Sequence, residues 1–585
     1  ATADPDTVVT YAHVLYNSGG LTDTVALNVV SSQGWPVEVQ PSSAVLPSGA
    51  AIPVTVTVSV PVGTSGIADT TTVTATSTVS PTVSTTAHDV TIVGLGVLLE
   101  PDNSQAVDSG TLVTFTHTLT NLSPISDTFA LSLSSSRGWA TLLTSSPVNL
   151  EAGASTTVQV RVAVPITAAA GLVDTSIVTA ASVFVPAVID TAQDTVVATA
   201  TAGPRHLAVT GSDEDNSCLL DSHPCRTVGY AVEQALDGDN VLIATGVYTN
   251  PDMAVEGRLV YIDKSLTLEG GYTTGDWFTP DPEANPTVLD GEGLGAVIYA
   301  DTAGITVTVS GLTLQRGYNQ GLYMRNARLL MADTAISSTT GYGLYLYDSD
   351  GSQVQNSRIA NNSNAGAYVQ SSENVSFDGN VFADNTGHGV NFIDYNHYAT
   401  LSNNTITGNG SYGVYFDDYN NYVTIDHNTI TDNSSYGVRL DDANDYLTFS
   451  DNTVTDNIAT GFHLDSSSDY STLSSNMIAN NGGDGVYFYG GSGHQLDNNT
   501  IADNGDDGVY FYYGGSGQHL DNNIVARNGG DGIEWYSGSG TLRHNTFSDN
   551  SGDTGLRVTY NASLVLTNTI ISGHSYGTLP TNTPA

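Results

Sequence analysis

The residues with the clearest chemical potential are aspartates that recur in register along the chain. Asp417, Asp441 and Asp465 are 24 residues apart, and Asp418 and Asp442 form a second series directly beside them. If the segments that carry them stack, neighbouring carboxylates lie about 5 Å apart and repel one another. Solvation, protonation or a shared cation relieves such repulsion, and Ca²⁺ prefers carboxylate and amide oxygens, which the following turns also supply. The sequence predicts a calcium site on these aspartates or, alternatively, a solvated acidic face.

Tyrosines follow the same period. They can stack on the apolar faces of sugars, form a dry contact with another protein, or stabilise a sheet by stacking on one another. The sequence leaves these three interpretations open. The candidate contact residues are Tyr398, Tyr415, Tyr422, Tyr446, Tyr470, Tyr487 and Tyr510.

The elements that position these side chains are copies of one repeated unit. Eleven glycines between Gly321 and Gly555 follow one another at intervals of 22 to 24 residues. From Gly343 on, each is followed by an apolar–variable–apolar triplet, the alternation of a strand with one buried face. Several short strands in so short a unit leave no room for a helix and predict a solenoid. Two further columns contain asparagine, as at Asn428 and Asn433, and predict structural ladders at tight corners.

Residues 203–580 resemble the right-handed parallel β-helix of the pectin-lyase-like superfamily. The segment that opens this region, RHLAVTGSDEDNSCLLDSHPCRTVGYAVEQALDGDNVLIATGVYT, is typical of secreted members. Within it, apolar residues from Val228 to Leu236 have helical spacing, with Thr227 as a fitting N-cap and Gly238 as a fitting stop. The resemblance implies that this helix caps the solenoid. It implies no single activity, since the superfamily includes lyases, hydrolases, epimerases, adhesins and phage spikes.

One enzymatic hypothesis follows from this resemblance. Pectate lyases of the superfamily use calcium-bound aspartates together with an arginine or lysine base. The resemblance therefore implies Arg439, with His463 on the next repeat, as the candidate base of a calcium-dependent lyase that acts on an acidic glycan. The alternative is that Arg439 is a counter-ion of the aspartate column.

The first 202 residues contain two copies of one domain. Residues 11–13 match residues 115–117 and residues 34–35 match residues 138–139, each with an offset of 104. Runs that alternate apolar residues with Thr or Ser predict sandwich strands. The boundaries are residues 1–95 and 96–202, and both copies resemble the immunoglobulin-like modules found beside secreted carbohydrate-active enzymes and in surface stalks. Neither copy has a catalytic motif.

Composition narrows the possible partners and the compartment. The 59 acidic and 14 basic residues give a formal charge of −45, which repels nucleic acid and anionic membranes and attracts divalent cations. Cys218 and Cys225 predict a disulfide and an oxidising compartment. No apolar run is long enough to span a membrane. The start at Ala1 is typical of an exported protein after signal-peptide removal, and residues 581–585 are expected to be a tail.

The sequence therefore predicts an all-β protein with two immunoglobulin-like β-sandwiches followed by a right-handed parallel β-helix. Because its repeats differ by one or two residues, without the long insertions that form an enzyme cleft, the preferred hypothesis is a structural protein. It would be a secreted or cell-surface stalk, adhesin or self-assembling fibre subunit, stabilised by calcium. An apolar last repeat without a capping helix predicts an adhesive edge that is covered either by the tail or by end-to-end association with a further copy. The alternatives are the polysaccharide lyase and a non-catalytic protein that binds surface glycans.

Overall fold

The computed structural model describes residues 1–3, 6–61, 64, 67–93, 96–122, 126–183, 186–250 and 256–580. They fall into two compact units, one formed by residues 1–201 and 214–220 and the other by residues 202–213 and those from 221 on. The predicted tail, residues 581–585, lies outside the described residues. No helix in the described ranges is long and apolar enough to cross a membrane.

The first unit contains two sandwich-like pairs of sheets, which agrees with the predicted all-β class. In each pair a hydrophobic cluster draws residues from both sheets, and inward and outward residues alternate, as for Val54, Val56 and Val58. In order across each sheet, the first pair comprises Thr2–Ala3, Ser84–Val93, Ile67–Ser77, Asp23–Ser31, Ser43–Leu46 and then Val8–Tyr16, Ala51–Ser59, Val37–Gln40. The second comprises Asn103–Asp108, Ile189–Thr199, Val173–Ser182, Asp127–Ser135, Val148–Leu150 and then Ala140–Leu142, Ser155–Ala163, Leu112–Asn121, Val97–Glu100.

The second unit is a parallel β-solenoid of three sheets, which confirms the predicted β-helix. Each coil adds one strand to the first, second and third sheet in turn, and the strands pair in parallel between coils. The first sheet contains Arg205–Leu207, Asn240–Ala244, Leu266–Tyr272, Thr306–Ser310, Arg328–Ala332, Gln353–Gln355, Ser376–Asp378, Thr400–Ser402, Thr424–Asp426, Thr448–Ser450, Thr472–Ser474, Gln495–Asp497, Gln518–Asp521, Ser539–Arg543 and Ser563–Thr567.

The other two sheets each contain 14 strands. The second contains Gly246–Tyr248, Thr287–Asp290, Thr313–Gln315, Ala335–Ser337, Arg358–Ala360, Val381–Ala383, Thr405–Thr407, Thr429–Thr431, Thr453–Thr455, Met477–Ala479, Thr500–Ala502, Ile524–Ala526, Thr546–Ser548 and Ile570–Ser572. The third contains Arg258–Ile262, Ala296–Asp301, Gln320–Arg325, Tyr342–Tyr347, Ala367–Gln370, Val390–Ile393, Val414–Phe416, Val438–Leu440, Phe462–Leu464, Val486–Tyr489, Val509–Tyr512, Ile533–Trp535, Thr554–Val558 and Tyr576–Pro580.

Buried asparagines join the coils, as predicted. Asn433 is representative: its Oδ1 accepts from the Nδ2 of Asn409 at 2.9 Å, and its own Nδ2 donates to the Oδ1 of Asn457 at 2.9 Å. The same pattern runs through Asn404, Asn428 and Asn452 in the other predicted column. A third ladder, which the sequence analysis did not identify, contains Asn396, Asn420 and Asn444.

The helix α1 (Val228–Gln234) lies at the start of the solenoid and packs against the strands Arg258–Ile262 and Arg205–Leu207. Thr227 is its N-cap, as predicted, and accepts from the N–H of Tyr230. The predicted end at residue 236 is wrong, since Ala235 already has an extended backbone. Lys264 Nζ donates to the carbonyl of Ala235 at 3.3 Å and to that of Val232 at 3.2 Å. These bonds provide donors for carbonyls that lack an intrahelical partner, so the helix can end before Leu236.

Candidate functional site

The outward face of the third sheet carries a long column of polar and aromatic side chains. Parallel pairing places residues from every coil in one column that faces away from the core, with the apolar residues on either side buried. This column runs through Tyr299, Tyr323, Tyr345, Tyr368, Asn391, Tyr415, Arg439, His463, Tyr487, Tyr510, Glu534 and Arg557.

Arg439 lies at the centre of an ion-pair network. Its Nε is 2.7 Å from Asp441 Oδ1, and its Nη2 is 3.5 Å from Asp465 Oδ2. The Tyr415 hydroxyl donates to Asp441 Oδ2 at 2.6 Å. Burial lowers the pKa of Arg439, but the hydrogen bond to Asp441 and its charge outweigh this effect and raise the pKa above its ordinary value. Arg439 therefore remains a cation at neutral pH and is a poor candidate for a base.

Two of the predicted calcium ligands have perturbed acidity. Burial and neighbouring carboxylates raise the pKa of Asp417 and of Asp418. The predicted ligands Asp441 and Asp465 are instead paired with Arg439, and Asp442 accepts from the hydroxyl of Ser466. Among the described residues, three groups of acidic or histidine side chains bring their ligand atoms within 4.8 Å of one another, and none includes these five aspartates. Calcium on this column stays a prediction.

Two histidines of the same face are neutral. Burial lowers the pKa of His388 to about 4, and burial with the nearby Arg439 cation lowers the pKa of His463 to about 4. The ring of His463 stacks on Tyr487 with centroids 4.5 Å apart and an interplanar angle of 8°. His463 thus continues the aromatic column and provides a neutral hydrogen-bonding edge at pH 7.

A second acidic group lies further along the same face. Asp484, Asp507 and Asp531 each precede a repeated glycine in three successive coils, and Glu534 is the outward residue of the third coil. We call these four residues the acid cluster. The carboxylate oxygens of Asp507, Asp531 and Glu534 lie within 4.8 Å of one another. Backbone N–H groups donate to the inner carboxylates, from residue 507 to Asp484 at 3.0 Å and from residue 531 to Asp507 at 2.6 Å.

The acid cluster retains protons at neutral pH. Burial, together with the charges of Asp484 and Glu534, raises the pKa of Asp507 to about 8. Burial and a neighbouring carboxylate raise the pKa of Asp484 to about 7. Burial also raises the pKa of Glu534, whereas the Arg557 guanidinium, 3.6 Å from its carboxylate, acts in the opposite direction. Asp507 thus has a pKa above neutrality and adjoins a carboxyl group beside a cation, and such perturbed groups favour functional sites.

The sequence analysis did not identify the acid cluster, although a signal was present. Asp484-Gly485, Asp507-Gly508 and Asp531-Gly532 repeat one dipeptide at the period of the coils. The predicted calcium ligands all follow a strand, whereas the aspartates of the acid cluster precede one. The perturbed acidity could not have been found in this way, because it depends on how deeply each carboxyl group is buried.

The predicted tyrosine column lies on the turn that links the third sheet to the first. Tyr398, Tyr422, Tyr446 and Tyr470 stack with centroid distances of 5.2, 4.8 and 5.3 Å and interplanar angles of 11°, 3° and 12°. Neighbouring rings cover both faces of the two inner tyrosines, so their edges and hydroxyls are the parts that face solvent. This arrangement has the mutual stacking that was one of the three interpretations left open by the sequence, and it leaves the ring edges as the surface for a sugar or another protein. We call these four residues the tyrosine ladder.

The remaining predicted site residues have simple environments. Tyr487 and Tyr510 pack edge to face with centroids 5.2 Å apart beside the acid cluster. Cys218 and Cys225 are disulfide-bonded, and both are fully buried.

Comparison with known proteins identifies the solenoid. Residues 295–454 and 437–585 match the family model described as right handed beta helix region. No curated protein matches the chain. The periplasmic alginate epimerase AlgG is 12% identical, with 58% of this chain and 85% of that chain covered and a TM-score of 0.36. The Azotobacter vinelandii mannuronan C-5 epimerase AlgE4 A-module is 16% identical (59% and 91% covered, TM-score 0.31), and pectate lyase Pel9A is 17% identical (46% and 76% covered, TM-score 0.34).

Proposed function

Given that residues 295–454 and 437–585 match the model of a right handed beta helix region, we propose that this protein binds an extended polysaccharide along the outward face of the third sheet and hydrolyses it at the acid cluster. The observation that carries the proposal is the close group formed by Asp507, Asp531 and Glu534, whose carboxylate oxygens lie within 4.8 Å of one another, with burial raising the pKa of Asp507 to about 8. Glycoside hydrolysis requires such a pair, one carboxyl group protonated and the other ionised. Tyr487 and Tyr510 flank the pair on the same face and supply aromatic surface for sugars.

The proposed reaction assigns one role to each carboxyl group. Asp507 donates its proton to the glycosidic oxygen as the bond between that oxygen and the anomeric carbon breaks. Glu534, which is more exposed than Asp531 (20% against 7% for the side chain), attacks the anomeric carbon and forms a glycosyl ester. Water then attacks the anomeric carbon while the Asp507 carboxylate removes one of its protons. The bond from that carbon to Glu534 breaks, which releases the sugar and restores both carboxyl groups. The short separation of the carboxylates favours this double displacement, which retains the anomeric configuration.

Residues on preceding coils would bind the rest of the polymer. Arg439 lies four strands before Glu534 in the third sheet, about 20 Å away at the strand spacing of a sheet. Between them the column presents His463, Tyr487 and Tyr510, which offer hydrogen-bonding edges and aromatic surface. A polysaccharide parallel to the solenoid axis would cross all of these residues.

The proposed general acid fixes the direction of the pH dependence. Asp507 is competent only while protonated, so we expect cleavage to fall as the pH rises through about 8. The measurement is kcat/KM for a soluble oligosaccharide between pH 5 and 10. A rate that rises steadily through this range would contradict the assignment of Asp507 as acid.

The first experiment is a cleavage assay of the purified full chain on unbranched neutral glycans and on polyuronates, with new reducing ends and unsaturated products measured separately. New reducing ends without unsaturation would support hydrolysis. Unsaturated products would support the lyase predicted from the sequence, for which the raised pKa of Arg439 makes that residue an unfavourable base. No cleavage of any glycan would remove the enzymatic proposal.

Calcium remains part of the proposal at the aspartate column. If Asp417, Asp418 and Asp442 share an ion, saturating Ca²⁺ stabilises the folded chain, by about 2.7 kcal/mol at a hundredfold excess over Kd. We expect thermal unfolding at a higher temperature with calcium than with chelator, and a loss of this difference in the Asp418→Asn/Asp442→Asn variant. If calcium raises the unfolding temperature equally in wild type and variant, the ion binds at another site.

A second candidate function is structural, as a stalk, an adhesin or a fibre subunit at the cell surface that binds further copies or surface glycans. The buried asparagine ladders favour it, because they join successive coils into a continuous rod. The disulfide supports an extracellular location. Negative-stain electron microscopy with calcium and with chelator tests this role: ordered filaments support self-assembly, and isolated particles in both conditions count against it.

A further inference from the structure

The tyrosine ladder occupies a turn whose backbone favours other residues. All four tyrosines have a left-handed backbone, with φ between 57° and 59°. A bulky side chain is disfavoured in that region, whereas glycine and asparagine tolerate it. On the coils before and after the ladder, the corresponding turn positions contain these tolerant residues: Gly351 (φ 66°), Asn374 (φ 56°), Gly493 (φ 73°) and Gly517 (φ 77°).

The ladder therefore keeps tyrosine against the preference of its own backbone on four successive coils. Its members expose 51%, 47%, 44% and 53% of their surface, so burial in a core does not explain the choice. The left-handed backbone recurs at other turns of the solenoid, as at Tyr395 (φ 52°) and Tyr419 (φ 60°), so the run of four exposed, mutually stacked rings distinguishes the ladder rather than φ. Ring stacking offsets part of the strain, yet the hydroxyl-bearing edges remain free to contact another molecule.

Carboxylates accompany the ladder. Asp445 and Asp469 directly precede Tyr446 and Tyr470, and each accepts a backbone N–H from the next coil, at 2.7 Å in both cases. The turn thus presents a phenol hydroxyl on each of four coils, about every 5 Å along the axis since ring centroids are 4.8 to 5.3 Å apart, and a carboxylate beside the last two. This repeat is close to the length of one hexose in an extended chain, and carboxylates accept hydrogen bonds from sugar hydroxyls.

The negative charge of the protein around this turn limits which class of polysaccharide can bind there. The chain carries a formal charge of −45, and two turns of the ladder add carboxylates. Arg439 is the one lysine or arginine in the sequence from residue 398 to residue 470, and it is paired with Asp441 and Asp465. A polyuronate would be repelled, whereas an uncharged glycan would not. The sugar must approach the edges of the rings, because neighbouring rings cover the faces of Tyr422 and Tyr446.

We propose that the tyrosine ladder is a second glycan-binding surface that holds an uncharged, unbranched polysaccharide parallel to the solenoid axis, one sugar per coil. This inference rests on the proposed function for the nature of the ligand, and it adds the uncharged class and a contact outside the acid cluster. Each coil contributes a weak contact, and the regular repeat lets one chain occupy several contacts at once.

The test replaces all four tyrosines with asparagine, the residue that the same turn uses at Asn374. Because asparagine suits the left-handed backbone, we expect the variant to fold with an unchanged or higher melting temperature. We expect its Kd for hydroxyethyl cellulose, an uncharged probe, to rise at least tenfold. Hydrolysis of a short soluble oligosaccharide should stay at the wild-type rate, since the acid cluster is intact. The matched control is Tyr560→Asn, another exposed tyrosine with a left-handed backbone (φ 45°) outside the ladder.

The outcomes separate this inference from the proposed function. An unchanged Kd together with a lower melting temperature would mean that the ladder only stabilises the turn, and would overturn the inference. Tighter binding of polygalacturonate than of hydroxyethyl cellulose would overturn the uncharged class. If the wild type binds the uncharged probe through the ladder yet cleaves nothing, the hydrolytic proposal fails and the inference stands.

Discussion

Replacement of Asp507 with asparagine is expected to lower kcat for glycan hydrolysis by a factor on the order of 10² to 10⁴, the usual contribution of a general acid. Asparagine keeps the shape of the side chain and still accepts the backbone N–H of residue 531 through its amide oxygen. It cannot donate a proton to the glycosidic oxygen. We therefore expect the loss in kcat with little change in KM, measured with a soluble oligosaccharide near neutral pH.

The matched control for this prediction is Asp456→Asn, the same change at an exposed position with a left-handed backbone (φ 59°), which asparagine tolerates. This control should retain the wild-type rate. The variant should also lose the decline in rate above pH 8, because the group whose ionisation causes that decline is absent. If Asp507→Asn retains wild-type activity, the catalytic site lies in another part of the chain.

The second large effect concerns stability. Asn433→Ala is expected to lower the free energy of unfolding of the solenoid by on the order of 3–6 kcal/mol. The Asn433 side chain makes four buried hydrogen bonds: it accepts from two nitrogens of Asn409 at 3.1 and 2.9 Å and donates to Asn457 at 2.9 Å and to the Ile406 carbonyl at 3.2 Å. Alanine removes all four bonds, at about 0.5–1.5 kcal/mol each, and takes the acceptor from the backbone N–H of Asn409, at about 1–3 kcal/mol. Asn409 Nδ2 still donates to the Phe382 carbonyl, and Asn457 Oδ1 still accepts the N–H of residue 433.

Denaturant unfolding followed by circular dichroism measures this effect. The control is Asn361→Ala, an exposed asparagine with a left-handed backbone (φ 58°), for which we expect a loss of about 1–2 kcal/mol from the backbone alone. Equal losses in the two variants would show that the buried ladder contributes nothing beyond turn conformation.

The fold could be predicted from the sequence because a solenoid repeats its own pattern. The glycine period and the triplets after each glycine indicate which residues face inward, and the parallel register confirms this assignment from Val414 through Val438 to Phe462. The two predicted asparagine ladders are confirmed for the same reason. The third ladder could not be read from the sequence because Asn420 is the middle residue of a run, Tyr419-Asn420-Asn421, in which spacing does not indicate which side chain faces inward.

Local and electrostatic features were less predictable. Helical spacing extends to Leu236, but Lys264, from a later coil, bonds to the carbonyls at the end of α1, and the helix ends at Gln234. Arg439 was correctly placed beside the aspartates, and its ion pairs with Asp441 and Asp465 support the counter-ion alternative, which sequence spacing alone left open. Asp507 resembles any other aspartate in the sequence, and its acidity depends on burial and on carboxylates from adjacent coils.

The central claim is that the acid cluster hydrolyses a polysaccharide, and mass spectrometry of products formed in ¹⁸O-labelled water tests it most directly. Hydrolysis places one atom of solvent oxygen on the anomeric carbon of each new reducing end. We predict singly labelled, saturated oligosaccharides from an uncharged glycan with the wild-type chain, and none with Asp507→Asn. Unsaturated products without label, or no products from any glycan, would contradict the account.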